Sequence, residues 1–333
     1  MKMMTTRLRT TVTTVTKAML GLGLALVLPA WAADWKPTQE PRIVLGFAAG
    51  GGGDILSRIM AAGLEPLIGK PIIVENRAGA NGFIAAEHAA RAKPDGHTLA
   101  FVTMSMMTVA PYVPGNKLPI DVDKALLPLA PLADIPIIAI THTQAPFDSI
   151  PALIARAKAN PGKMNYGTAG VASIGHLSGE LFNALAGTDL QHVAYKGGSQ
   201  AMVDLIGGRI DLMIGNMPDF VAAIADRRLK PLAFAGTRVK DQLPGLPLMS
   251  ASLLGFVAQN WFALMVPAGT DPGVIAAWSN AIQKALAQAE IRERLSKAGF
   301  DPLSGRTAEL QQLIVDDRKR WQKVIVESKI RMN

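Results

Sequence analysis

The run Gly50-Gly51-Gly52-Gly53-Asp54 is the strongest chemical feature of this sequence. It follows an apolar, β-branched stretch, Ile43 to Phe47, and precedes an amphipathic one, Asp54 to Ile68. A strand, a turn free of Cβ atoms and a helix start together make an anion site. The backbone can curl so that several N–H groups converge, and the helix dipole adds partial positive charge at that point. A carboxylate or a phosphate satisfies such donors. The nucleotide loops do not fit, because no Gly-Lys-Ser/Thr closes the turn and no Gly-x-Gly-x-x-Gly spacing runs through it. Asp54 reads first as the cap of the following helix, and Gly50 to Gly53 read as ligand contacts.

A second loop of the same kind runs from Gly167 through Thr168, Ala169, Gly170, Val171, Ala172, Ser173, Ile174 and Gly175 to His176. It joins a strand ending at Gly167 to a helix expected over Leu177 to Ala186. Open α/β sheets bind ligands at the carboxyl ends of their strands, where both loops must lie. Ser173 and His176 also invite a catalytic reading, since Val171-Ala172-Ser173-Ile174-Gly175 is one glycine short of the Gly-x-Ser-x-Gly elbow. An exported α/β hydrolase using Ser173 is therefore an alternative. Against it, His88, His97, His142 and His192 lack the context of a triad base. Ser173 reads better as a hydroxyl donor to a ligand and His176 as a residue of the first helical turn. Phe47, Ala48, Met104, Ser105, Tyr195, Asn216 and Asp219 complete the candidate ligand contacts. No His-x-x-x-His or carboxylate pair suggests a metal, and no cofactor is expected. Arg77, in a further Gly-rich junction running to Gly82, reads as the partner of a neighbouring carboxylate.

The elements that position these loops follow from the apolar patterning. Short β-branched runs alternate with helical ones: Ile43 to Phe47, Asp54 to Ile68, Ile72 to Glu75, Phe83 to Ala92 and Thr98 to Val102. Such alternation implies a parallel sheet flanked by helices. The Pro-rich stretch Pro111 to Pro136 breaks the rhythm, and a second series begins at Ile137 to Thr141. Helix 151–159, strand 164–167, helices 177–186 and 199–206, and strands 210–214 and 232–235 complete that series. After Trp261 to Val266 come two helices with apolar stripes, one through Val274, Ile275, Trp278, Ile282 and Leu286, the other through Leu310, Leu313, Ile314, Trp321, Val324 and Ile325. Asp271 before Pro272 marks a helix start, and Gly299 marks a stop.

The N-terminus sets the compartment. Lys2, Arg7, Arg9 and Lys17 precede the apolar run Ala18 to Leu28, which ends at Pro29 and Ala30-Trp31-Ala32. This is the pattern of a cleavable secretory signal peptide, too short for the roughly 20 apolar residues of a bilayer span. Cleavage is expected after Ala32, leaving a soluble periplasmic chain from about Ala33. Zero cysteines exclude a disulfide framework and a thiolate metal site. The formal charge of +8 falls to about +4 once those four cations leave. The remaining cations are scattered among acids, which argues against nucleic acid as a partner and suits an anionic ligand.

Across nearly the whole mature length the sequence resembles the tripartite tricarboxylate transporter receptors, the Bug or TctC-like periplasmic solute-binding proteins. The marks are Pro41-Arg42-Ile43-Val44 leading into Gly50 to Asp54, Val74-Glu75-Asn76-Arg77-Ala78-Gly79-Ala80, Pro94-Asp95-Gly96-His97-Thr98-Leu99 and Ala157-Lys158-Ala159-Asn160-Pro161-Gly162-Lys163. His176-Leu177, His192-Val193-Ala194-Tyr195-Lys196-Gly197 and Trp261-Phe262-Ala263 follow in order. The resemblance implies a type II Venus-flytrap fold of two α/β lobes joined by a two-strand hinge. Residues 33–138 with 258–333 are expected in lobe I and 139–257 in lobe II, after a signal peptide over 1–32. It further implies a monomeric, non-enzymatic receptor that holds a small carboxylate through the loops Phe47 to Asp54 and Thr168 to Ser173. That receptor would serve the membrane permease subunits of a tripartite tricarboxylate transporter, with a ligand-sensing role beside a membrane signalling protein as an alternative. The sequence departs from the family at Phe47-Ala48-Ala49, where Phe-Pro-Pro is common, and at Gly53, where Thr or Ser is usual. A third departure is Gly215-Asn216, in place of an aromatic or acidic pair. Ligand identity therefore does not carry over from a relative.

Overall fold

The computed structural model describes residues 35–237 and 243–327; the expected signal peptide lies outside the described residues. The chain opens with β1 (Arg42–Leu45), α1 (Gly52–Ile68), β2 (Ile73–Asn76), α2 (Phe83–Ala90), β3 (Thr98–Thr103), α3 (Met104–Thr108), α4 (Val122–Ala125) and β4 (Leu126–Ile135). Beyond Pro136 come β5 (Ile137–His142), α5 (Ile150–Ala159), β6 (Asn165–Thr168), α6 (Ile174–Ala186) and β7 (Gln191–Ala194). The same series continues with α7 (Gly198–Ile206), β8 (Leu212–Asn216), α8 (Met217–Ala225) and β9 (Leu229–Phe234). The chain returns as β10 (Asn260–Pro267) and finishes with α9 (Pro272–Ala287), α10 (Ala289–Lys297), β11 (Asp301–Pro302) and α11 (Thr307–Glu327).

Two sheets result, ordered β11-β4-β10-β3-β1-β2 and β7-β6-β8-β5-β9. Both are mixed rather than parallel. In the first, β1 pairs parallel with β2 and β3, while β10 runs antiparallel to β3 and β4 because it enters from the other sheet. In the second, β6 pairs parallel with β7 and β8, and β5 runs antiparallel to β8 and β9. The chain thus crosses between sheets at Pro136 and again between Phe234 and Asn260.

The Pro-rich stretch holds a strand that its composition hides. β4 carries Pro128 and Pro131, neither of which can donate to a ladder. Opposite each, the pairing with β10 slips by one residue, between Phe262 and Ala263 and between Leu264 and Met265. The bulges absorb the missing donors.

Helix α1 buries Leu56, Ile59, Met60, Leu64 and Ile68, a three-and-four spacing that lays one face on the sheet. Each such side chain contributes about 1.5–3 kcal/mol when fully buried. The start of α9 matches its sequence signal, with Asp271 accepting the Gly273 N–H at 2.7 Å. Trp278, in the α9 stripe, is fully buried and donates Nε1–H to Gly96 O at 2.9 Å.

Candidate functional site

Helix α1 starts earlier than the sequence suggests. Gly51 is its N-cap, with Gly52 and Gly53 in the first turn, so Asp54 does not cap it. Instead Asp54 Oδ2 reaches back to the Gly50 N–H at 3.1 Å and accepts Arg58 Nε–H at 2.9 Å. Its Oδ1 accepts from Arg58 Nη2 at 3.0 Å and from Asn76 Nδ2 at 3.1 Å. Burial alone would raise the Asp54 carboxyl; the Arg58 guanidinium, the Gly50 amide and the Asn76 amide override it and hold it below its ordinary value. Asn76 Nδ2 also donates to Phe47 O at 3.1 Å, so the end of β2 ties down both sides of the glycine loop. Of the four glycines only Gly50 has a positive φ, +80°. Gly53 faces the core, where a Cβ would lie 3.1 Å from Leu45 Cδ1 and 3.2 Å from the Phe101 ring.

The anion position at this helix start is filled by the protein itself. The Gly52 N–H donates to Asp219 Oδ1 at 2.5 Å, and Asp219 belongs to the first turn of α8, flanking the other sheet. Asn216 Nδ2 donates to Asp219 Oδ2 at 3.3 Å. Burial raises the Asp219 carboxyl above the usual range, and the Gly52 and Asn216 donors oppose that rise. The two halves meet elsewhere too: a Cβ on Gly197 would lie 3.5 Å from Ala48 N, and one on Gly170 3.8 Å from Asn81 Cα. This is a closed arrangement.

The second loop is held from within. Ser173 caps α6 by accepting the His176 N–H at 3.3 Å, and the Ala172 N–H donates to His176 Nδ1 at 3.2 Å. Thr168 Oγ1 lies 2.7 Å from His192 Nε2 and accepts the Gly170 N–H at 3.2 Å. The His176 and His192 rings stack with centroids 4.1 Å apart. Burial pushes both imidazoles down, to about 4 each. His176 therefore braces Ala172, which sits at φ +58°, and does not project into the cleft. Neither ring is bonded to the Ser173 hydroxyl. The base that a Ser173 hydrolase requires is committed elsewhere.

Between the halves lies a cavity of about 40 Å³. Phe47, Asn81, Thr103, Ser105 and Asn260 line it from one side. Thr168, Ala169, Ser173, Ile174, Gly175 and Asn216 line it from the other. An adjoining cleft of about 310 Å³ shares Asn81 and takes in Gly170, Ala172 and Tyr195, with Lys117 and Lys196 in its wall. The structure thus brings Phe47, Ser105, Thr168, Ala169, Ser173 and Asn216 to one cavity. Ala48, Gly50 to Gly53, Asp54 and Asp219 stand beside it as the interlocked rim. Met104 is buried, with its sulfur 2.9 Å from Thr108 Oγ1, and packs in the core. Tyr195 donates its hydroxyl to Asp204 Oδ2 at 2.7 Å.

Two cavity residues with an unpaired buried polar atom lie outside the sequence expectation. Asn81 and Asn260 line the cavity, and the buried Asn81 Nδ2 and Asn260 Oδ1 have no hydrogen-bond partner among the described residues. Asn81 adopts φ +50°, φ values that Asn tolerates better than most residues. Its setting, Gly79-Ala80-Asn81-Gly82 after a strand, is the signal that could have found it. Beside them the amides of Ile174 and Gly175, first in α6, have no intrahelical acceptor. Among the described residues no Lys, Arg, His, Asp or Glu lines this cavity, and its polar side chains are neutral.

The profile of the tripartite tricarboxylate transporter family receptor matches residues 56–330. The chain belongs to that family. It is 33% identical over 304 residues to Protein BugT of Bordetella pertussis, an alignment spanning 89% of this chain and 91% of that one. Among solved structures it is similar to R. palustris Rpa4515 with adipate, at a TM-score of 0.86 and 28% identity over 90% of this chain and 99% of the other. It is also similar to MatC (Rpa3494) from Rhodopseudomonas palustris with bound malate, at a TM-score of 0.81 and 29% identity over 87% and 99%. The tripartite receptors are periplasmic solute-binding proteins with two α/β lobes, and this chain has that fold and that role.

Proposed function

We propose that this receptor captures a small carboxylate between its lobes and presents the closed form to the permease subunits of a tripartite tricarboxylate transporter. The observation that carries the reading is the cavity between the sheets. Ile174 and Gly175, whose amides begin α6 at its positive end, line it, as does Asn81, whose Nδ2 has no partner among the described residues. The adipate and malate of the two Rhodopseudomonas structures support a carboxylate as the ligand class.

Binding then follows from the geometry. The lobes hinge where the chain crosses, at Pro136 and between Phe234 and Asn260. In the open form the carboxylate meets the start of α6 with Thr168, Ala169 and Ser173. Closure brings Asn81, Thr103, Ser105 and Phe47 over it, while Asp219 docks on the start of α1 and completes the seal. The glycine run thus serves closure, and the second loop serves the ligand. Charge-assisted hydrogen bonds contribute about 1.5–3 kcal/mol each. Three or four, less ordering costs, reach the roughly 8 kcal/mol of a micromolar complex. No covalent step is involved. Cleavage of a signal peptide leaves a periplasmic, monomeric chain from about Ala33.

A thermal-shift series on the mature chain tests this, since binding raises the melting temperature by mass action. Small carboxylates are expected to stabilise it and their fully amidated analogues are not. Stabilisation by the neutral amides alone would remove the anion site from consideration.

A further inference from the structure

We propose that the ligand carries a hydrogen-bond donor at the end away from its carboxylate, a carboxamide or an ammonium group, and that Asn260 Oδ1 receives it. The inference rests on the carboxylate reading above and names the other half of the ligand.

Asn260 opens β10 and is 1% exposed, yet its Oδ1 has no partner among the described residues. Buried polar atoms without partners are rare and costly, and one that lines a cavity marks a place where a ligand atom completes the pairing. Amide oxygen and nitrogen are exchangeable in shape, so the direction of the amide decides whether the site offers a donor or an acceptor. Here the direction is set from a distance. A backbone N–H can only donate, so Gly52 makes Asp219 Oδ1 an acceptor, at 2.5 Å. Asn216 Nδ2 donates to the other carboxyl oxygen, Asp219 Oδ2, at 3.3 Å. That leaves Asn216 Oδ1 to accept from Asn260 Nδ2, at 2.8 Å. The relay ends with Asn260 Oδ1 as a buried, unpaired acceptor on a residue that lines the cavity.

Among the described residues the lining of this cavity carries no cation that could neutralise a second carboxylate; Lys117 and Lys196 stand in the wall of the adjoining cleft instead. A dicarboxylate would place its far oxygens against the lone pairs of Asn260 Oδ1, and one of the two groups would stay unpaired. A site built to receive a donor rejects the analogue that lacks it far more strongly than an apolar pocket rejects a missing methylene. The relay passes through Asn216, which lies in one of the three stretches where the sequence departs from the family it resembles. Asn216 and Asp219 act here as positioning residues, through Asn260.

The test is calorimetric titration of the mature chain with two matched pairs, malonate against malonamate and succinate against succinamate. The half-amide of at least one pair is expected to bind about tenfold or more tightly than its diacid. Asn260→Leu should reduce that ratio to near one. Asp219→Asn is the second variant, because a neutral amide at 219 can donate or accept and so releases the direction of the relay. The ratio should fall several-fold while both compounds still bind, an outcome that a merely structural role would not produce. Diacids binding as tightly as half-amides in the wild-type chain would overturn the inference and leave the carboxylate reading intact. If none of the four binds, while succinamide or malonamide does, the carboxylate reading itself falls.

Discussion

Replacing Asp219 by Ala should open the receptor. The carboxylate crosses from α8 to the start of α1, where it accepts the Gly52 N–H at 2.5 Å and the Asn216 amide at 3.3 Å. Without it the closed form keeps a buried Gly52 N–H with no acceptor, a cost of about 1–3 kcal/mol. It also loses a charge at a helix end worth about 0.3–1 kcal/mol. Against these stands relief of the burial that raises the Asp219 carboxyl. A net loss of about 1.5–3 kcal/mol lowers the closed-to-open ratio by a factor of about 10 to 160. Apparent affinity falls by the same factor where closure is needed for tight binding. The chain has no native cysteine, so a Val203→Cys, Val315→Cys pair can carry spin labels. Both sites are exposed, at 60% on α7 and 45% on α11, on opposite sides of the cleft. Pulsed dipolar spectroscopy should show a longer, broader distance distribution for D219A than for the parent, with D219N close to the parent because it keeps an oxygen for Gly52. Identical distributions for D219A and the parent would refute the role given to this contact.

Asn81→Gly should separate binding from folding. It relieves a non-glycine residue at φ +50° and deletes the cavity amide, so the melting temperature is expected to hold or rise while carboxylate affinity drops about tenfold by calorimetry. Gly46→Ala should destabilise by more than about 3 kcal/mol in urea titration, since its Cβ would lie 2.2 Å from Gly82 Cα, where only backbone can yield. Stability should also fall with acid. His176 and His192 are held near 4 in the fold against about 6.5 unfolded, so below pH 6.5 the unfolded chain gains protons that the folded one refuses. The loss builds between pH 6.5 and 4 and approaches about 3 kcal/mol per ring, readable as a falling urea midpoint. A midpoint flat across that window would show that the rings titrate normally.

The elements with strong periodicity were legible in the sequence. The α1, α9 and α11 stripes and the Asp271-Pro272 start are visible because each signal is local. β4 was hidden because its prolines are accommodated only by bulges in a partner more than a hundred residues away. The second loop was readable, as a strand-to-helix junction rich in small residues. The first reads in the sequence as a loop for the ligand's carboxylate, whereas in the structure the Gly52 N–H donates to Asp219, 167 positions along the chain. Asn260 stands one residue before Trp261, where the apolar run begins, and nothing in its neighbours distinguishes it. Its importance comes from where the cleft closes and from an amide relay, neither of which has a sequence period.

The most direct measurement is calorimetry of residues Ala33 to Asn333 with small monocarboxylates, half-amides and fully amidated analogues, read beside the closure of the labelled pair. Compounds with one carboxylate should bind and shorten the distance between the lobes, and the fully amidated ones should do neither. Closure driven equally by the uncharged analogues would contradict an anion held at the start of α6.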